Sequence, residues 1–235
     1  MRPVVAELLG TALLLAAVVG SGVMGDRLAG GNIAIALLAN TLATGAALVT
    51  LILTFSPISG AHFNPVVSLA DALQGGLTWA RAFAYSGAQV IGAIVGVGAA
   101  DYMFEQPVYA WSHHVRSGLP QAFSEMVATF GLLAVIWGCS RRRSAAVPFA
   151  VGAYITAAYW FTASTSFANP AVTIARTMTD TFAGIRPVDA PAFIVAQVIG
   201  GAAATALFGW LVPAQRGIAE QAGTSHETAR SQWSA

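Results

Sequence analysis

Long apolar stretches separated by short polar segments dominate the chain up to residue 212. Windows of about 20 apolar residues, the length that crosses the hydrocarbon core of a bilayer, fall at roughly 4–24, 33–55, 79–100, 119–139, 145–163 and 191–212. The first window follows Arg2 but contains Glu7, and no small-residue cleavage site ends it, so we interpret it as a retained helix and not as a signal peptide. The pattern therefore predicts six transmembrane helices.

Three short segments of the first half recur in the same order in the second half. The matching pairs are 6–11 with 124–129, 64–70 with 169–175, and 88–92 with 196–200. Ordered internal matches indicate a duplication. Because each half has an odd number of predicted spans, the second copy enters the membrane from the opposite side. The predicted fold is an all-α membrane protein built as an inverted repeat.

Each half carries an Asn-Pro pair between its second and third spans, at Asn64-Pro65 and Asn169-Pro170. Asn is a preferred N-cap and Pro is favoured at the first helical position, so each pair predicts the start of a helix. The apolar stretch that follows has about ten residues, which is too short to cross a bilayer. We therefore expect two re-entrant half-helices whose N-termini meet near the midplane. Irregular backbone is tolerated there only inside protein or beside water, which predicts a pore between the halves.

Two helix N-termini that face each other concentrate positive potential at the centre of such a pore. Each carries roughly half a positive charge, which repels cations and disfavours a hydronium ion. The Asn side-chain amides remain to donate hydrogen bonds to a passing solute. This chemistry favours water or a small neutral polyol-like molecule. A single Asn-Pro pair is also a common turn dipeptide, but two pairs at matching repeat positions favour the pore.

Composition excludes several other functions. The 235 residues are 56% hydrophobic and 9% charged, whereas soluble domains are about 25% charged. The formal net charge is +1, and no basic tract exists that would neutralise a nucleic-acid backbone. The single Cys139 excludes an internal disulfide framework, and the adjacent His113 and His114 do not share a helical face. We expect no enzyme activity, no cofactor, no metal site and no nucleic-acid partner.

Arginines in short loops predict the orientation, because they are enriched on the cytoplasmic side. With the N-terminus in the cytoplasm, the inside arginines are Arg2, Arg81, Arg141, Arg142, Arg143, Arg216 and Arg230, and the outside ones are Arg27, Arg116, Arg176 and Arg186. Both termini are therefore predicted to be cytoplasmic. Residues 1–214 are interpreted as one channel domain, with repeats at about 1–100 and 119–214, and residues 215–235 as a polar cytoplasmic tail.

The motifs together resemble the aquaporin and aquaglyceroporin, or major intrinsic protein, family over nearly the whole chain. The resemblance rests on Glu7 with Gly10 and Thr11, on residues 58–65, and on Asn169, Pro170 and Ala171. It implies six tilted helices plus two half-helices, a pore in every subunit, and a homotetramer in the lipid bilayer. The first motif departs from the family pattern, because Val66 stands where Ala is usual. We expect a slight shift in packing where the half-helices abut.

Family spacing places the outer constriction of the pore on Thr44, Ala157, Ser166 and Val172. At the position of Val172 the family normally has an Arg that projects into the pore. A ring without that guanidinium should be wider and less charged, which favours neutral solutes larger than water. Val at this position also resembles the aquaglyceroporins of arsenic-resistance operons. The resemblance implies a prokaryotic inner or plasma membrane and conduction of metalloid hydroxides such as arsenous acid, of glycerol, and of water. A water-selective pore is the alternative.

Four further residues have two interpretations each. Arg176, one helical turn beyond Val172, either reaches back over the pore mouth as a cationic gate or snorkels to the interface. His62 either faces the pore as a pH-sensitive gate or packs the loop.

Glu7 and Glu125 lie inside spans, where an acid costs about 2.5–3.5 kcal/mol. They either relay protons in a coupled transporter or accept hydrogen bonds from the backbone of the re-entrant loop in their own half. The repeat favours the structural role of the two carboxylates. A proton-coupled transporter would share the inverted repeat, but the paired Asn-Pro half-helices and the lack of other polar residues deep in the spans favour a passive channel for small neutral solutes, with an enzyme a distant third.

Overall fold

The computed structural model describes residues 1–212, and in that range the chain forms eight α-helices and no β-strand. Six of these helices are long and apolar enough to cross a membrane, as predicted. One of the six reaches that length only together with the short 3₁₀ turn that precedes it. The six are α1 Arg2–Leu28, α2 Ile33–Ser59, α4 Trp79–Met103, α5 Leu119–Ser140, α6 Val147–Phe161 with the 3₁₀ turn Ser144–Ala146 before it, and α8 Ala190–Leu211. The predicted tail at 215–235 lies outside the described residues.

The two remaining helices are the predicted half-helices, α3 at Pro65–Leu73 and α7 at Pro170–Arg176. Asn64 caps α3, because its side-chain oxygen accepts a hydrogen bond from the N–H of Val66 at 3.0 Å. Asn169 caps α7 in the same way, accepting from the N–H of Ala171 at 3.0 Å. Each Pro occupies the first helical position, where its missing N–H costs nothing.

Close helix pairs repeat in the two halves. α1 packs against α4, and α5 packs against α8, while α2 and α6 join the halves. A Cβ atom added at Gly92 on α4 would collide with the carbonyl oxygen of Leu8 on α1, and one added at Gly200 on α8 would collide with that of Met126 on α5. Gly92 and Gly200 are equivalent in the repeat. The same backbone-to-backbone contact, which small residues permit in membranes, is therefore built twice within one chain.

The connections define two ends of the bundle. We call the end that carries the connections 29–32, 104–118 and 177–189 the vestibule end, and the end that carries Met1 and the connections 74–78 and 141–146 the termini end. Helix α3 runs from the centre to the termini end, and α7 runs from the centre to the vestibule end. Their N-termini consequently face each other at the centre.

Candidate functional site

Asn64 and Asn169 tie the two half-helices together at the centre of the bundle. The side-chain amide of Asn64 donates a hydrogen bond to the carbonyl oxygen of Ala168 at 2.7 Å. The amide of Asn169 donates to the carbonyl oxygen of Phe63, also at 2.7 Å. Each Asn thus caps its own half-helix with its oxygen and holds the loop of the other half with its nitrogen.

Glu7 is the anchor of the first re-entrant loop. Its carboxylate accepts hydrogen bonds from the backbone N–H of His62 at 3.0 Å and of Phe63 at 2.7 Å. The hydroxyl of Ser59 and the amide of Gln89 also donate to it, at 2.6 and 2.7 Å. The side chain is fully buried and does not line the central cavity. This geometry matches the structural interpretation of Glu7.

Glu125 does the same work in the second half. It accepts from the backbone N–H of Phe167 and of Ala168, both at 2.8 Å, and from the amide of Gln197 at 2.6 Å. Gln197 also donates to Thr173 at 2.9 Å, as Gln89 donates to Ser68 at 3.0 Å in the first half. The Gln of each recurring segment therefore links the buried carboxylate to the half-helix.

The carboxylates hold a backbone conformation that the residues would not adopt alone. Ala61 and Phe63 have φ values of +53° and +49°, and their repeat equivalents Ser166 and Ala168 have +51° and +49°. L-residues other than Gly populate this region sparsely, at a cost of about 1–3 kcal/mol each. The hydrogen bonds to Glu7 and Glu125 stabilise these turns against that strain.

A central cavity of about 300 Å³ runs between the two halves. Both Asn residues line it, as do three of the four residues predicted for the constriction, Thr44, Ser166 and Val172. Ser166 presents a buried hydroxyl oxygen that has no hydrogen-bond partner in the described part of the chain. The rest of the lining is mainly apolar, with Leu14, Val18, Leu48, Ile52, Val67, Leu132, Ile136, Val151 and Ile155 among its residues.

Tyr159, and not Ala157, represents helix α6 in the cavity. Val151, Ile155 and Tyr159 line the cavity at intervals of four residues, whereas Ala157 is exposed on the outer surface of α6. Two residues along a helix turn the side chain by about 200°, which carries position 157 away from the pore. Family spacing between α6 and Asn169 therefore misplaces this member by two residues. The hydroxyl of Tyr159 donates to Thr44 at 3.4 Å.

Arg176 lies at the vestibule end of the cavity and not at the membrane surface. Its side chain is 2% exposed, and its Nε donates a hydrogen bond to the carbonyl oxygen of Ala183. The guanidinium carbon is 3.4 Å from the centroid of the Phe167 ring. Arg176 thus restores a positive charge near the position that Val172 leaves apolar. This placement differs from the snorkelling interpretation and from the expectation of an uncharged outer ring.

His62 and Asp71 occupy the termini end of the same cavity. The Nε2 of His62 is 3.9 Å from the carboxylate of Asp71, and its Nδ1 is 3.1 Å from the hydroxyl of Ser68. The imidazole ring also packs edge to face against Tyr85, with 5.7 Å between centroids. His62 therefore both packs the loop and faces the pore.

Outside Arg176 the cavity opens into a second space of about 640 Å³, which we call the vestibule. Arg116, from the connection 104–118, lies on its wall and places its guanidinium carbon 5.1 Å from the centroid of Phe167. Its side chain donates to the carbonyl oxygens of Gly184 at 2.8 Å and Ser164 at 3.3 Å. Arg116 therefore joins the loop before α7 to the loop after it.

Val66 packs against helix α8 in the space that the missing side chain of Gly201 leaves open. A Cβ atom added at Gly201 would collide with Cγ1 of Val66. Gly201 is the repeat equivalent of Ala93, and Val66 is the equivalent of Ala171. The extra volume of Val66 is offset by the missing methyl at Gly201.

Sequence reasoning missed four residues of the site: Asp71, Arg116, Tyr159 and Phe167. Extending the repeat alignment by a few positions would have found two of them, because His62 is equivalent to Phe167 and Asp71 to Arg176. Nothing in the local sequence marks Arg116, which reaches the site from a loop distant in the chain. Among the residues that the structure describes, no cluster of His, Cys, Asp and Glu has the geometry of a metal site.

Comparisons with known proteins agree on one family. The chain matches the family described as Major intrinsic protein over residues 1–166 and 142–235. It is 56% identical over 228 residues to Aquaglyceroporin AqpS of Rhizobium meliloti (strain 1021), covering 97% of each chain. It is 34% identical over 137 residues to Probable aquaporin NIP7-1 of Arabidopsis thaliana, covering 55% of this chain and 46% of the other.

Among solved structures, the X-ray structure of the aquaglyceroporin from Plasmodium falciparum superposes with a TM-score of 0.71. The match covers 90% of this chain and 96% of the Plasmodium falciparum chain, at 21% sequence identity. This similarity confirms the predicted arrangement of spans and half-helices.

Proposed function

The chain belongs to the major intrinsic protein family, and from that premise we propose that its pore conducts neutral hydroxylated solutes, namely metalloid hydroxides such as arsenous acid, glycerol and water. It is an integral multi-pass membrane protein and a channel for small solutes, a class that is not enzymatic.

The distribution of polar groups in the cavity carries the proposal. The hydroxyls of Thr44, Tyr159 and Ser166 lie on the cavity wall together with the apolar Val172. The Ser166 oxygen is buried beside the cavity and has no hydrogen-bond partner within residues 1–212. A lining that combines hydroxyl groups with apolar side chains suits a molecule such as glycerol, which carries both kinds of group. Arsenous acid is a neutral triol-like species at pH 7 and fits the same description.

Charge placement supports exclusion of cations. The capped N-termini of α3 and α7 meet at the centre, and each contributes roughly half a positive charge. Arg176 adds a full charge at the vestibule end. A proton-coupled transporter is disfavoured, because Glu7 and Glu125 are buried in hydrogen bonds and neither lines the cavity.

A water-selective channel is the second candidate, and Arg176 is the observation that favours it. A guanidinium at the constriction narrows the pore and binds water well. The relative from Rhizobium meliloti carries the name aquaglyceroporin, which supports the wider pore. We also propose that the protein forms a homotetramer in a prokaryotic inner or plasma membrane. Its termini end faces the cytoplasm, as the loop arginines predict.

Stopped-flow light scattering on proteoliposomes tests the solute assignment. Wild type, Val172→Arg and Val172→Met are compared for water, glycerol and arsenous acid. We expect wild type to pass all three solutes and Val172→Arg to lose the two larger ones while keeping water. Met has similar length without charge, so Val172→Met separates steric narrowing from the effect of the cation. If wild type is no more permeable to glycerol and arsenous acid than empty liposomes, the water-selective function replaces this proposal.

A further inference from the structure

The vestibule has a cationic wall that water or glycerol conduction does not require. Its volume is about 640 Å³, and it is lined by Arg27, His114, Arg116 and Arg176 together with the acids Asp26 and Asp180. Arg116 and Arg176 both lie against Phe167, with their guanidinium carbons 5.1 and 3.4 Å from its centroid. Two like charges therefore share one aromatic ring at the floor of this space.

Neither guanidinium forms a direct ion pair with an acid in residues 1–212, although the buried carboxylate of Glu125 attracts both charges from a longer distance. The ion pairs in residues 1–212 join His62 to Asp71, His113 to Asp180 and Arg186 to Asp189. Arg176 is 2% exposed, and its Nη1 has no hydrogen-bond partner among the described residues. Buried charges normally require a partner, because removing them from water costs several kcal/mol per ion, an order-of-magnitude value.

The other titratable groups of the vestibule leave this positive charge in place. The carboxylate of Asp180 already has a partner, because it accepts hydrogen bonds from the backbone and ring nitrogens of His113. These bonds hold the pKa of the Asp180 carboxyl below its usual value. Burial, and after it the charges of Arg116 and Arg176, lowers the pKa of His114, so its imidazole is neutral at pH 7. Burial lowers the pKa of Arg116 to about 10, which leaves it protonated.

Arg27 and Asp26 lie at the exposed rim. The guanidinium of Arg27 bonds the carbonyl oxygen of Phe104 and lies over the Phe104 ring. Three arginines thus face two acids across the vestibule, and one of those acids already has a partner. The excess positive charge is concentrated at Arg116 and Arg176, directly outside the central cavity.

We infer that the vestibule binds a small phosphate-like oxyanion between Arg116 and Arg176, and that the bound anion slows permeation of neutral solutes. Guanidinium groups match tetrahedral oxyanions in geometry and form charge-assisted hydrogen bonds with them. The bound anion would supply the direct ion-pair partner that neither guanidinium has among the described residues. The second part of the inference rests on the proposed function, because it requires a conducting pore beneath the site.

A phosphate group reaches this site either as a free ion or as the headgroup of an anionic lipid. The burial of Arg176 at the inner end of the vestibule favours the free ion. Isothermal titration with inorganic phosphate measures binding to the full-length protein in nanodiscs. Nanodiscs of phosphatidylcholine alone are compared with nanodiscs that also contain phosphatidylglycerol, and the difference in phosphate binding distinguishes the two sources. The variants are Arg116→Gln and Arg176→Gln, and Arg81→Gln is the matched control because Arg81 is exposed near the termini end.

We expect saturable phosphate binding in wild type and in Arg81→Gln. Binding should be weaker by about tenfold or more in the two vestibule variants, because each loses one charge-assisted hydrogen bond. Absence of saturable binding to wild type overturns the inference without any variant. Equal affinity in Arg116→Gln and Arg81→Gln overturns it as well. If phosphatidylglycerol abolishes phosphate binding, the lipid headgroup is the occupant and the free-anion assignment is wrong.

Glycerol permeability of proteoliposomes tests the second part. Phosphate is compared with chloride at equal ionic strength and osmolarity, for wild type and Arg116→Gln. We expect phosphate to slow wild type and to leave Arg116→Gln unchanged. Phosphate binding without any change in glycerol permeability would contradict the slowing of permeation but not the phosphate site itself. Phosphate binding to a protein that conducts no glycerol at all rejects the proposed function and not the site.

Discussion

Asp71 and Arg176 occupy the same position in the two repeats, each seven residues after the Asn that caps its half-helix, and both line the central cavity. The pseudo-two-fold relation thus places an anion at one end of the pore and a cation at the other. The two ends are not equally tight. The Asp71 side chain is 24% exposed beside His62, whereas Arg176 is 2% exposed against Phe167. We therefore expect the constriction of the pore to lie at the end of Arg176.

Neutralising these two residues should have unequal effects on solute passage. We expect Arg176→Gln to raise glycerol permeability by about fivefold, because a barrier lowered by ~1 kcal/mol gives that ratio. Asp71→Asn is the symmetry-matched control and should change permeability by less than about twofold, since partly exposed ion pairs contribute little. Stopped-flow light scattering on proteoliposomes of each variant measures both. Equal effects at the two ends would contradict the assignment of the constriction.

Removing the charge of Glu125 should lower the stability of the folded protein and not only its transport activity. Glu125→Gln weakens the hydrogen bonds from Phe167 and Ala168 that hold the strained second loop. Each bond to a charged group is worth about 1.5–3 kcal/mol, so a clear fall in the melting temperature of the purified protein is expected. Glu105→Gln, an exposed acid in the connection 104–118, is the control. An unchanged melting temperature together with a lost response to a proton gradient would instead indicate a proton relay.

The spans, the half-helices and the buried carboxylates were predictable because each has a local signal. Apolar length marks a span, Asn-Pro marks a capped helix, and an acid inside an apolar run requires a partner. The recurrence of Glu7 as Glu125 in the repeat then indicated what that partner would be. These features depend on residues that are near one another in sequence and on the internal repeat.

The constriction was less predictable because it is assembled from elements that are far apart in sequence. Tyr159 and not Ala157 lines the cavity, because two residues along α6 turn the side chain by about 200°. Arg176 reaches the cavity only because Phe167 and the carbonyl oxygen of Ala183 hold its side chain there. Arg116 comes from a third region of the chain. No window of sequence contains these contacts together.

Close contact between α1 and α4 should make Gly92 intolerant of a single methyl group. Gly92→Ala would force Cβ against the carbonyl oxygen of Leu8, an overpacking that costs about 1–3 kcal/mol. Gly87→Ala on the same helix is the control, because a Cβ atom there meets no atom within 4 Å. It should be neutral, or stabilising by up to about 1 kcal/mol through helix propensity. Unfolding in mixed micelles measures both. Equal stability of the two variants would show that α1 and α4 do not pack this closely.

Val66 and Gly201 should behave as one packing unit. Gly201→Ala alone would force Cβ into Cγ1 of Val66 and lower the free energy of unfolding by about 1–3 kcal/mol. Val66→Ala alone removes two buried methyl groups, worth about 0.8 kcal/mol each before any cavity term. The double variant recreates the Ala pair that the other half has at Ala171 and Ala93. It should recover at least about 1 kcal/mol relative to the sum of the single changes.

A double-mutant cycle of unfolding free energies in micelles measures this coupling. Gly209→Ala is a control on the same helix, where the nearest atom to a new Cβ is 3.4 Å away on the flexible side chain of Gln74. Adding Val66→Ala to Gly209→Ala should give a simple sum. Additivity in the Val66 and Gly201 cycle as well would mean that Val66 is accommodated between the half-helices after all. Permeability of the double variant then adds a second readout, since a pair shared by both halves should leave the central Asn contacts and glycerol conduction unchanged.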